Sequence, residues 1–163
     1  MMDKKVSIIL STYNEATIIE KTINEIFNTI DNVEIVLVDD NSTDGTLEKV
    51  NSFNNKNLKV ISRTSRGLAS AFLLGMINTK GDYIGWTDSN MPQLTHHFTE
   101  MIKKLDNCDI VLLSRYVDGG GDQRSKIRIL SSKIINFICR LILGNEIKDY
   151  TSSIFLMKRD TLK

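Results

Sequence analysis

Composition alone gives this 163-residue sequence few obvious partners. Twenty-one basic residues against twenty acidic ones leave a formal net charge of +1, so no overall field attracts nucleic acid. Two cysteines, Cys108 and Cys139, stand in no metal-binding or redox spacing, which indicates reduced thiols. No apolar run approaches the ~20 residues of a membrane span, and the apolar part of the N-terminus is too short for a signal peptide. We therefore expect a cytoplasmic protein, either free or peripheral on the cytoplasmic face of a membrane.

Length and composition suit one globular domain. Hydrophobic residues make up 41% of the chain and charged residues 25%, which allows a sizeable core and argues against disorder. The sequence stops at Lys163 directly after an apparent strand, without a closing turn. We therefore expect a single domain over residues 1–163 that is truncated at its C-terminal end.

The stretch from Glu34 to Thr46 joins an unbroken apolar run to carboxylates, hydroxyls and a glycine. Because Ile35–Val38 does not alternate, both of its faces are predicted to be covered, as in a parallel sheet between helices. Asp39 and Asp40 follow at the carboxyl end of this strand, where open α/β sheets bind their ligands. Turn and helix-cap preferences explain the residues that come next, but they do not explain Asp39. Two adjacent carboxylates repel each other, so a ligand or a metal is the better explanation.

Strands alternate with helices along the rest of the chain. Further strands are predicted at Val6–Leu10, Leu58–Ile61, Tyr83–Trp86 and Asp109–Leu113, with another near the C-terminus. This alternation predicts an α/β fold with a doubly wound, mostly parallel sheet flanked by helices. The carboxyl ends of the strands would then bring Asp39, Asp88 and Arg115 to one edge. The segment Leu68–Asn78 is apolar almost all round, which predicts a buried helix.

A basic and apolar segment follows the last predicted parallel strand. From Arg124 to Arg140 there are five basic residues and no acidic one. Apolar residues occupy more than one face of the same segment. A helix over Lys126–Leu143 is therefore predicted to be either deeply packed or in contact with a membrane surface.

Six stretches in a fixed order carry a family resemblance. They are VSIILSTYNE, EIVLVDDNSTDGT, SRGLASAFLLGMINTKGDYIGWTDSN, DIVLLSRYVDGGG, RILSS and KDYTSSIFLMKRDTL. Together they resemble family 2 glycosyltransferases, whose nucleotide-diphospho-sugar transferase fold is called GT-A. Within that family the sequence is most similar to the dolichol- or polyprenyl-phosphate mannosyltransferases. The resemblance implies an inverting, metal-dependent hexosyltransferase, with mannose as the first choice of sugar.

The resemblance also implies ligands and site residues. The donor would be a nucleotide sugar, the acceptor dolichyl or polyprenyl phosphate, and the cofactor Mg²⁺ or Mn²⁺. Residues implied to bind the donor are Thr12, Tyr13, Glu15, Asp39, Asp40 and, in a basic loop, Arg66. The metal would be held by Asp88 and Asn90, which occupy the two acidic places of the family's DxD motif. Residues implied to meet phosphate, or to match the family's later motifs, are Arg115, Arg128, Ser132 and Asp149; the catalytic set is Asp88, Arg115 and Arg128.

Departures from the family pattern leave alternatives open. Asn90 replaces a carboxylate, although Mg²⁺ commonly uses only one or two carboxylates. Pro92 stands where the group often has a polar residue, and Ser152 and Phe155 replace a glycine and a basic residue. A catalytically silent nucleotide-sugar-binding module is therefore one alternative, and an enzyme with a saccharide acceptor is another. The adjacent histidines at positions 96 and 97 are predicted to be surface residues pointing to different faces of a helix.

Overall fold

The computed structural model describes residues 4–122 and 124–162. Its strands and longer helices are β1 (Val6–Thr12), α1 (Ile19–Thr29), β2 (Val33–Asp39), α2 (Thr46–Asn51), β3 (Leu58–Ser62), α3 (Leu68–Ile77), β4 (Tyr83–Asp88), α4 (His97–Lys104), β5 (Ile110–Leu112), α5 (Lys126–Leu143) and β6 (Phe155–Lys158). Short 3-10 helices cover Pro92–Leu94 and Arg159–Leu162. The predicted strands are all present. Several extend past their apolar runs because the polar residues at their ends still pair with neighbouring strands.

One six-stranded sheet organises the chain, in the order β3-β2-β1-β4-β6-β5. β1 pairs in parallel with β2 and with β4, and β2 pairs in parallel with β3. β6 runs antiparallel to β4, so the sheet is mixed but mostly parallel, which confirms the predicted architecture. The chain builds outward from β1 through β2 to β3 and then crosses to the other side of β1. The strand order therefore reverses between β1 and β4, which is where open α/β sheets form their ligand-binding crevice.

Alternate residues of β1 pack into the hydrophobic cores on opposite faces of the sheet. Ile9 faces α3, because a Cβ added to Gly75 would lie 2.3 Å from the Ile9 Cγ2 atom. Ile8 belongs to the other face, where a Cβ added to Gly85 would meet Ile8 and Phe98 of α4. Both isoleucines are fully buried, as the unbroken apolar run predicts for a strand covered on both sides.

α3 is only half covered, so the prediction of a buried helix is wrong. Ala71 and Gly75 are buried against the sheet, whereas Leu73 is 55% exposed and Ile77 is 75% exposed. A helix lying on one face of a sheet can bury only the stripe that faces the strands. The apolar side chains on the far side of α3 therefore remain at the surface.

Two compact units result from the chain's contacts. The first contains the residues up to Val111 together with those from Ile154 onward, and hence most of the sheet. The second, Leu112–Ser153, contains α5. Only Ser132 and Asn136 of α5 are buried. Nine apolar residues of α5 are 48% to 79% exposed: Ile127, Leu130, Ile134, Ile135, Phe137, Ile138, Leu141, Ile142 and Leu143. Deep packing, one of the two predicted states of this helix, is therefore not what the structure has.

In the part of the chain that the structure describes, no helix is long and apolar enough to cross a membrane.

Candidate functional site

A pocket lies at the carboxyl ends of β1 and β4, where the strand order reverses. Register places Ser11 beside Asp88 on one side of β1 and Thr12 beside Asp39 on the other. The pocket is lined by Ser11, Thr12, Tyr13, Glu15, Asp40, Leu68, Asp88, Ser89 and Asn90. Six of the predicted site residues thus meet in one place, although they come from three separate stretches of sequence.

Thr12 brings an unused hydroxyl group to this pocket. The residue is 4% exposed, and its Oγ1 atom has no hydrogen-bond partner among the described residues. A buried hydroxyl without a partner costs free energy, about 1–3 kcal/mol. The side chain is therefore poised to bond to a ligand that enters the pocket.

Tyr13 and Arg66 form a stacked pair at the pocket. The Arg66 guanidinium carbon lies 4.0 Å from the centroid of the Tyr13 ring. Arg66 also donates a hydrogen bond to the Tyr13 hydroxyl. Tyr13 is 39% exposed, so the pair presents a flat aromatic and cationic surface to solvent.

Asp39 and Asp40 have different surroundings. Asp39 is fully buried and does not line the pocket. Its Oδ2 accepts a hydrogen bond from the Ser42 backbone N–H, and its Oδ1 accepts one from the Ser42 hydroxyl. Asp40 lines the pocket, and its Oδ1 lies 2.5 Å from Nε of Arg63. These hydrogen bonds from Ser42 give the buried carboxylate of Asp39 partners within the protein, which turn preferences alone did not predict. Donor binding by Asp39 stays a prediction.

The loops after β1 and β2 are tied to each other by polar contacts. The Asn14 N–H donates to the Ser42 hydroxyl at 2.9 Å, and the Thr43 N–H donates to the Asn14 side-chain oxygen at 2.9 Å. The Glu15 N–H donates to the Thr46 hydroxyl at 2.9 Å. Asn14 has a positive φ of 56°, which asparagine tolerates better than most residues. Sequence reasoning missed these contacts, because they join residues about 30 positions apart.

Asp88 and Asn90 offer oxygen ligands suited to a divalent cation. Asp88 is partly exposed in the pocket, and no described side chain donates a hydrogen bond to its carboxylate. The Nδ2 atom of Asn90 donates to Oε1 of Glu15 at 3.2 Å, which leaves the amide oxygen of Asn90 for another partner. Within residues 4–122 and 124–162, no group of three or more His, Cys, Asp or Glu residues could hold a metal. The oxygen ligands of Asp88 and Asn90 fit Mg²⁺ or Mn²⁺ that takes its remaining ligands from water and a diphosphate.

In the second unit, Asp149 holds Arg115 in a two-pronged ion pair. Arg115 Nε lies 2.8 Å from Oδ2 of Asp149, and Nη2 lies 2.9 Å from Oδ1. Asp149 is 1% exposed, and burial alone would raise its pKa. Hydrogen bonds from Arg115 and Thr151 outweigh burial and lower the pKa of Asp149 to about 2. Of the Arg115 guanidinium, Nη1 is the nitrogen left with the weakest contact, 3.9 Å from Asp122.

Two further predicted residues lie on α5. Arg128 is exposed, and no ion pair of the described residues includes it. Ser132 is buried, and its hydroxyl accepts a hydrogen bond from Arg124 at 3.0 Å. Arg124 in turn pairs with Asp122 at 2.6 Å. The phosphate contacts implied for Arg115, Arg128 and Ser132 stay predictions.

Asn136 is a buried polar residue that the sequence analysis missed. Its Nδ2 donates to the Ser132 carbonyl at 2.9 Å and to the Thr151 hydroxyl at 3.1 Å, and its Oδ1 accepts the Tyr150 N–H at 2.6 Å. An asparagine in the middle of a mostly apolar and basic helix was the available signal, because such a residue needs internal partners when buried.

The two adjacent histidines contact each other, so the prediction that they point to different faces is wrong. Their ring centroids lie 3.9 Å apart at an interplanar angle of 40°. His96 directly precedes α4 with a φ of −59° and a ψ of −23°, so the two rings come from successive residues at the start of the helix. Burial and the neighbouring His96 lower the pKa of His97.

Known proteins match this chain over most of its length. The family model described as "Glycosyl transferase family 2" matches residues 7–163. A curated dolichol-phosphate mannosyltransferase of Pyrococcus furiosus is 35% identical over 167 residues, covering 98% of this chain and 47% of that protein. An uncharacterized glycosyltransferase of Rickettsia conorii is 32% identical over 68% of this chain and 19% of its own length. The chain therefore spans less than half the length of these curated relatives.

Solved structures share the fold. A mannosyltransferase of Pyrobaculum calidifontis, in complex with GDP-Man and Mn²⁺, matches with a TM-score of 0.65 at 23% identity, over 98% of this chain and 46% of that one. A glucosyl-3-phosphoglycerate synthase of Mycobacterium tuberculosis, in complex with Mn²⁺, UDP and phosphoglyceric acid, matches with a TM-score of 0.73 at 20% identity, over 98% of this chain and 57% of that one. At these identities the likeness concerns the fold alone.

Proposed function

The chain belongs to glycosyl transferase family 2 and has the GT-A fold, and from that premise we propose that it transfers a hexosyl group from a nucleotide sugar to a polyprenyl or dolichyl phosphate. Mannose is the first choice of sugar, because the 35%-identical relative is a dolichol-phosphate mannosyltransferase. The observation that carries the proposal is the convergence of Thr12, Glu15, Asp88 and Asn90 on one pocket at the reversal of strand order.

The donor would bind in that pocket. The stacked Tyr13–Arg66 pair offers a face for a nucleotide base, and the cation of Arg66 adds attraction for phosphate. The Thr12 hydroxyl, which has no hydrogen-bond partner in the part of the chain that the structure describes, would bond to the nucleoside. Asp40 lines the pocket, with its Oδ1 held by Arg63 and its Oδ2 accepting the Gly67 N–H at 3.2 Å, and its carboxylate would accept a further hydrogen bond from the donor.

Asp88 and the amide oxygen of Asn90 would hold Mg²⁺ or Mn²⁺ against the donor diphosphate. A cation bound there supplies positive charge that stabilises the departing nucleoside diphosphate. Asp88 stands at the end of β4, a strand buried through Thr87, so its carboxylate is presented from a rigid element. Rigid placement matters because electrostatic stabilisation works best when its groups need not reorganise.

The acceptor would need no general base. A lipid phosphate oxygen is already anionic, so it can attack the anomeric carbon directly while the nucleoside diphosphate leaves from the opposite side, which inverts the configuration. Arg128 and Ser132 lie one helical turn apart on α5, a spacing that lets both contact one phosphate. Of these two residues, Arg128 is exposed and carries the positive charge. Positioning of this kind can supply several kcal/mol of the barrier.

A membrane surface is the partner proposed for α5. The helix exposes nine large apolar side chains and carries Lys126, Arg128 and Lys133 at its surface. Basic side chains next to exposed apolar ones suit the boundary between anionic headgroups and acyl chains. Such binding would bring the chain to its lipid acceptor.

Transfer of label tests the proposed reaction. The protein is incubated with radiolabelled GDP-mannose, or with UDP-glucose, together with a short-chain polyprenyl phosphate and Mn²⁺, and the lipid is extracted. We expect label to move into the organic phase. Arg128→Ala should reduce that movement at least tenfold, because the acceptor phosphate loses a charge-assisted hydrogen bond.

Lys133→Ala is the matched control, since it removes one exposed positive charge from the same helix. It should transfer label at close to the rate of the unchanged protein. Equal losses in both variants would mean that general charge, rather than a phosphate contact by Arg128, drives the reaction. Nucleotide binding without any lipid-linked product would instead favour the silent nucleotide-sugar-binding module, which Asn90 motivates.

A further inference from the structure

Glu15 contacts one of the two residues proposed to hold the metal. Its Oε1 accepts a hydrogen bond from Nδ2 of Asn90 at 3.2 Å. A carboxylate can only accept hydrogen bonds, so the nitrogen end of the amide must face Glu15 and the oxygen end must face away. We infer that Glu15 is a positioning residue that orients the Asn90 oxygen toward a divalent cation; this inference rests on the proposed function.

The backbone of Glu15 is fixed from both sides. Its N–H donates to the Thr46 hydroxyl at 2.9 Å, and its carbonyl accepts the N–H groups of Ile18 and Ile19 at 3.0 Å. The first of these bonds reaches the start of α2, and the others lead into α1. Glu15 therefore approaches Asn90 from a backbone that cannot easily shift.

The contact explains how an asparagine can serve at this position. An amide oxygen is a weaker ligand for Mg²⁺ or Mn²⁺ than a carboxylate oxygen. A carboxylate behind the amide adds negative charge near the cation and restrains the amide from rotating. Groups that hold a metal ligand in this way typically change metal affinity by about 10- to 100-fold when they are replaced.

The same contact makes positions 15 and 90 interdependent. A carboxylate at position 90 would have two equivalent oxygens, so it would need no neighbour to turn an oxygen toward the cation. Loss of the Glu15 contact would lower metal affinity when position 90 is asparagine and would have a smaller effect when it is aspartate. Asn90→Asp should therefore improve metal binding more in a protein that also carries Glu15→Gln than in the unchanged protein.

A second observation shows that this pocket is built for a ligand. Thr12, which lines the same pocket, has a buried hydroxyl without a partner within residues 4–122 and 124–162. A pocket that only packed internally would satisfy that group or replace it by an apolar one. The acidic residues are therefore not the only feature of this pocket that indicates a bound ligand.

The test measures how much Mn²⁺ strengthens the binding of GDP and of UDP. Calorimetry gives each nucleotide's Kd with and without Mn²⁺, and Mn²⁺ binding is followed in parallel by its paramagnetic resonance signal. At a Mn²⁺ concentration below its Kd for the free protein, the ratio of the two nucleotide Kd values reports the affinity of Mn²⁺ for the nucleotide-bound site, because linkage joins the two equilibria. Glu15→Gln should lower this ratio about tenfold.

Glu48→Gln is the charge-matched control, since Glu48 is exposed on α2 and does not line the pocket. It should leave the ratio within about twofold of the unchanged protein. Thermal unfolding of every variant verifies that the fold is kept, and Asn90→Asp alone and with Glu15→Gln completes a double-mutant cycle.

The outcomes separate the inference from the proposed function. A ratio that is large in the unchanged protein and equally large with Glu15→Gln overturns the inference alone. Equal effects of Asn90→Asp in both backgrounds also overturn it, since they remove the coupling. A ratio near one in the unchanged protein, for both nucleotides, overturns the proposed metal role and the inference with it.

Discussion

At the scale of single residues, one carboxylate joins three side chains of the second unit. Asp149 accepts hydrogen bonds from the side chains of Arg115, Thr151 and Asn136, and from two backbone N–H groups. These contacts account for an aspartate that is 1% exposed. Before Arg115 can use its full guanidinium on a phosphate, it must give up part of this ion pair.

Asp149→Asn should lower the free energy of unfolding by about 2–3 kcal/mol at pH 7. The pKa of Asp149, about 2 when folded, lies below its ordinary value near 3.9. The folded state therefore gains stability above the ordinary pKa and loses it as the pH falls through the folded pKa. The difference between the two proteins should shrink between about pH 4 and pH 2.

Urea unfolding at a series of pH values measures that difference. Asp118→Asn, at an exposed position in the same unit, is the control and should change stability by less than about 0.5 kcal/mol. A loss of stability in Asp149→Asn that does not depend on pH would show that shape, rather than charge, gives Asp149 its role.

At the scale of elements, the two helices with exposed apolar faces differ in charge. α5 combines its exposed apolar residues with basic ones, whereas α3 has no basic residue in its last turn and no acidic one in its first. The apolar content of the two segments predicted the bounds of both helices to within a residue. It could not predict which faces stay uncovered, because that depends on which other elements lie against them.

Sedimentation with liposomes separates the two helices. The unchanged protein should bind anionic vesicles at about 1 kcal/mol per basic residue near the surface, and salt should weaken the binding. Ile142→Asn, on α5, should reduce binding several-fold because an apolar anchor is lost. Ile77→Asn, on α3, replaces a side chain of the same 75% exposure and should have little effect. Equal recovery with neutral and anionic vesicles at low salt would contradict a membrane role for α5.

At the scale of the whole molecule, a ligand that binds only the folded chain must stabilise it. At a concentration of 100 times its Kd, a nucleotide adds about 2.7 kcal/mol, or a rise of roughly 5–10 °C in Tm for a chain of this size. We expect Mn²⁺ with GDP or UDP to produce that rise and Asp88→Ala to remove its Mn²⁺-dependent part. Asp106→Ala, at an exposed site after α4, is the control. An undiminished rise in Asp88→Ala would remove the metal role of that residue.

The sequence predicted the sheet more completely than it predicted the contacts around the pocket. Ile35–Val38 predicted a strand covered on both faces because burial leaves no reason for alternation, and β2 is such a strand. Asp88 was predicted to lie at the ligand-binding edge because it follows the carboxyl end of a strand, and it lines the pocket there. The bonds of Asp39 to Ser42 and of Arg115 to Asp149 were not predictable, because short-range turn chemistry and long-range pairing use the same residue types as ligand binding.

The second unit enters and leaves the first through neighbouring strands. It begins at the end of β5 and finishes just before β6, and these two strands lie side by side in the sheet. A segment tethered at two adjacent points is an insertion in the chain of the first unit. The free energy of closing such an insertion grows slowly with its length, by about 0.6 kcal/mol for each doubling. We therefore expect a longer or shorter insertion between β5 and β6 to change the free energy of folding little through chain closure alone, with the pairing of β6 and β4 kept.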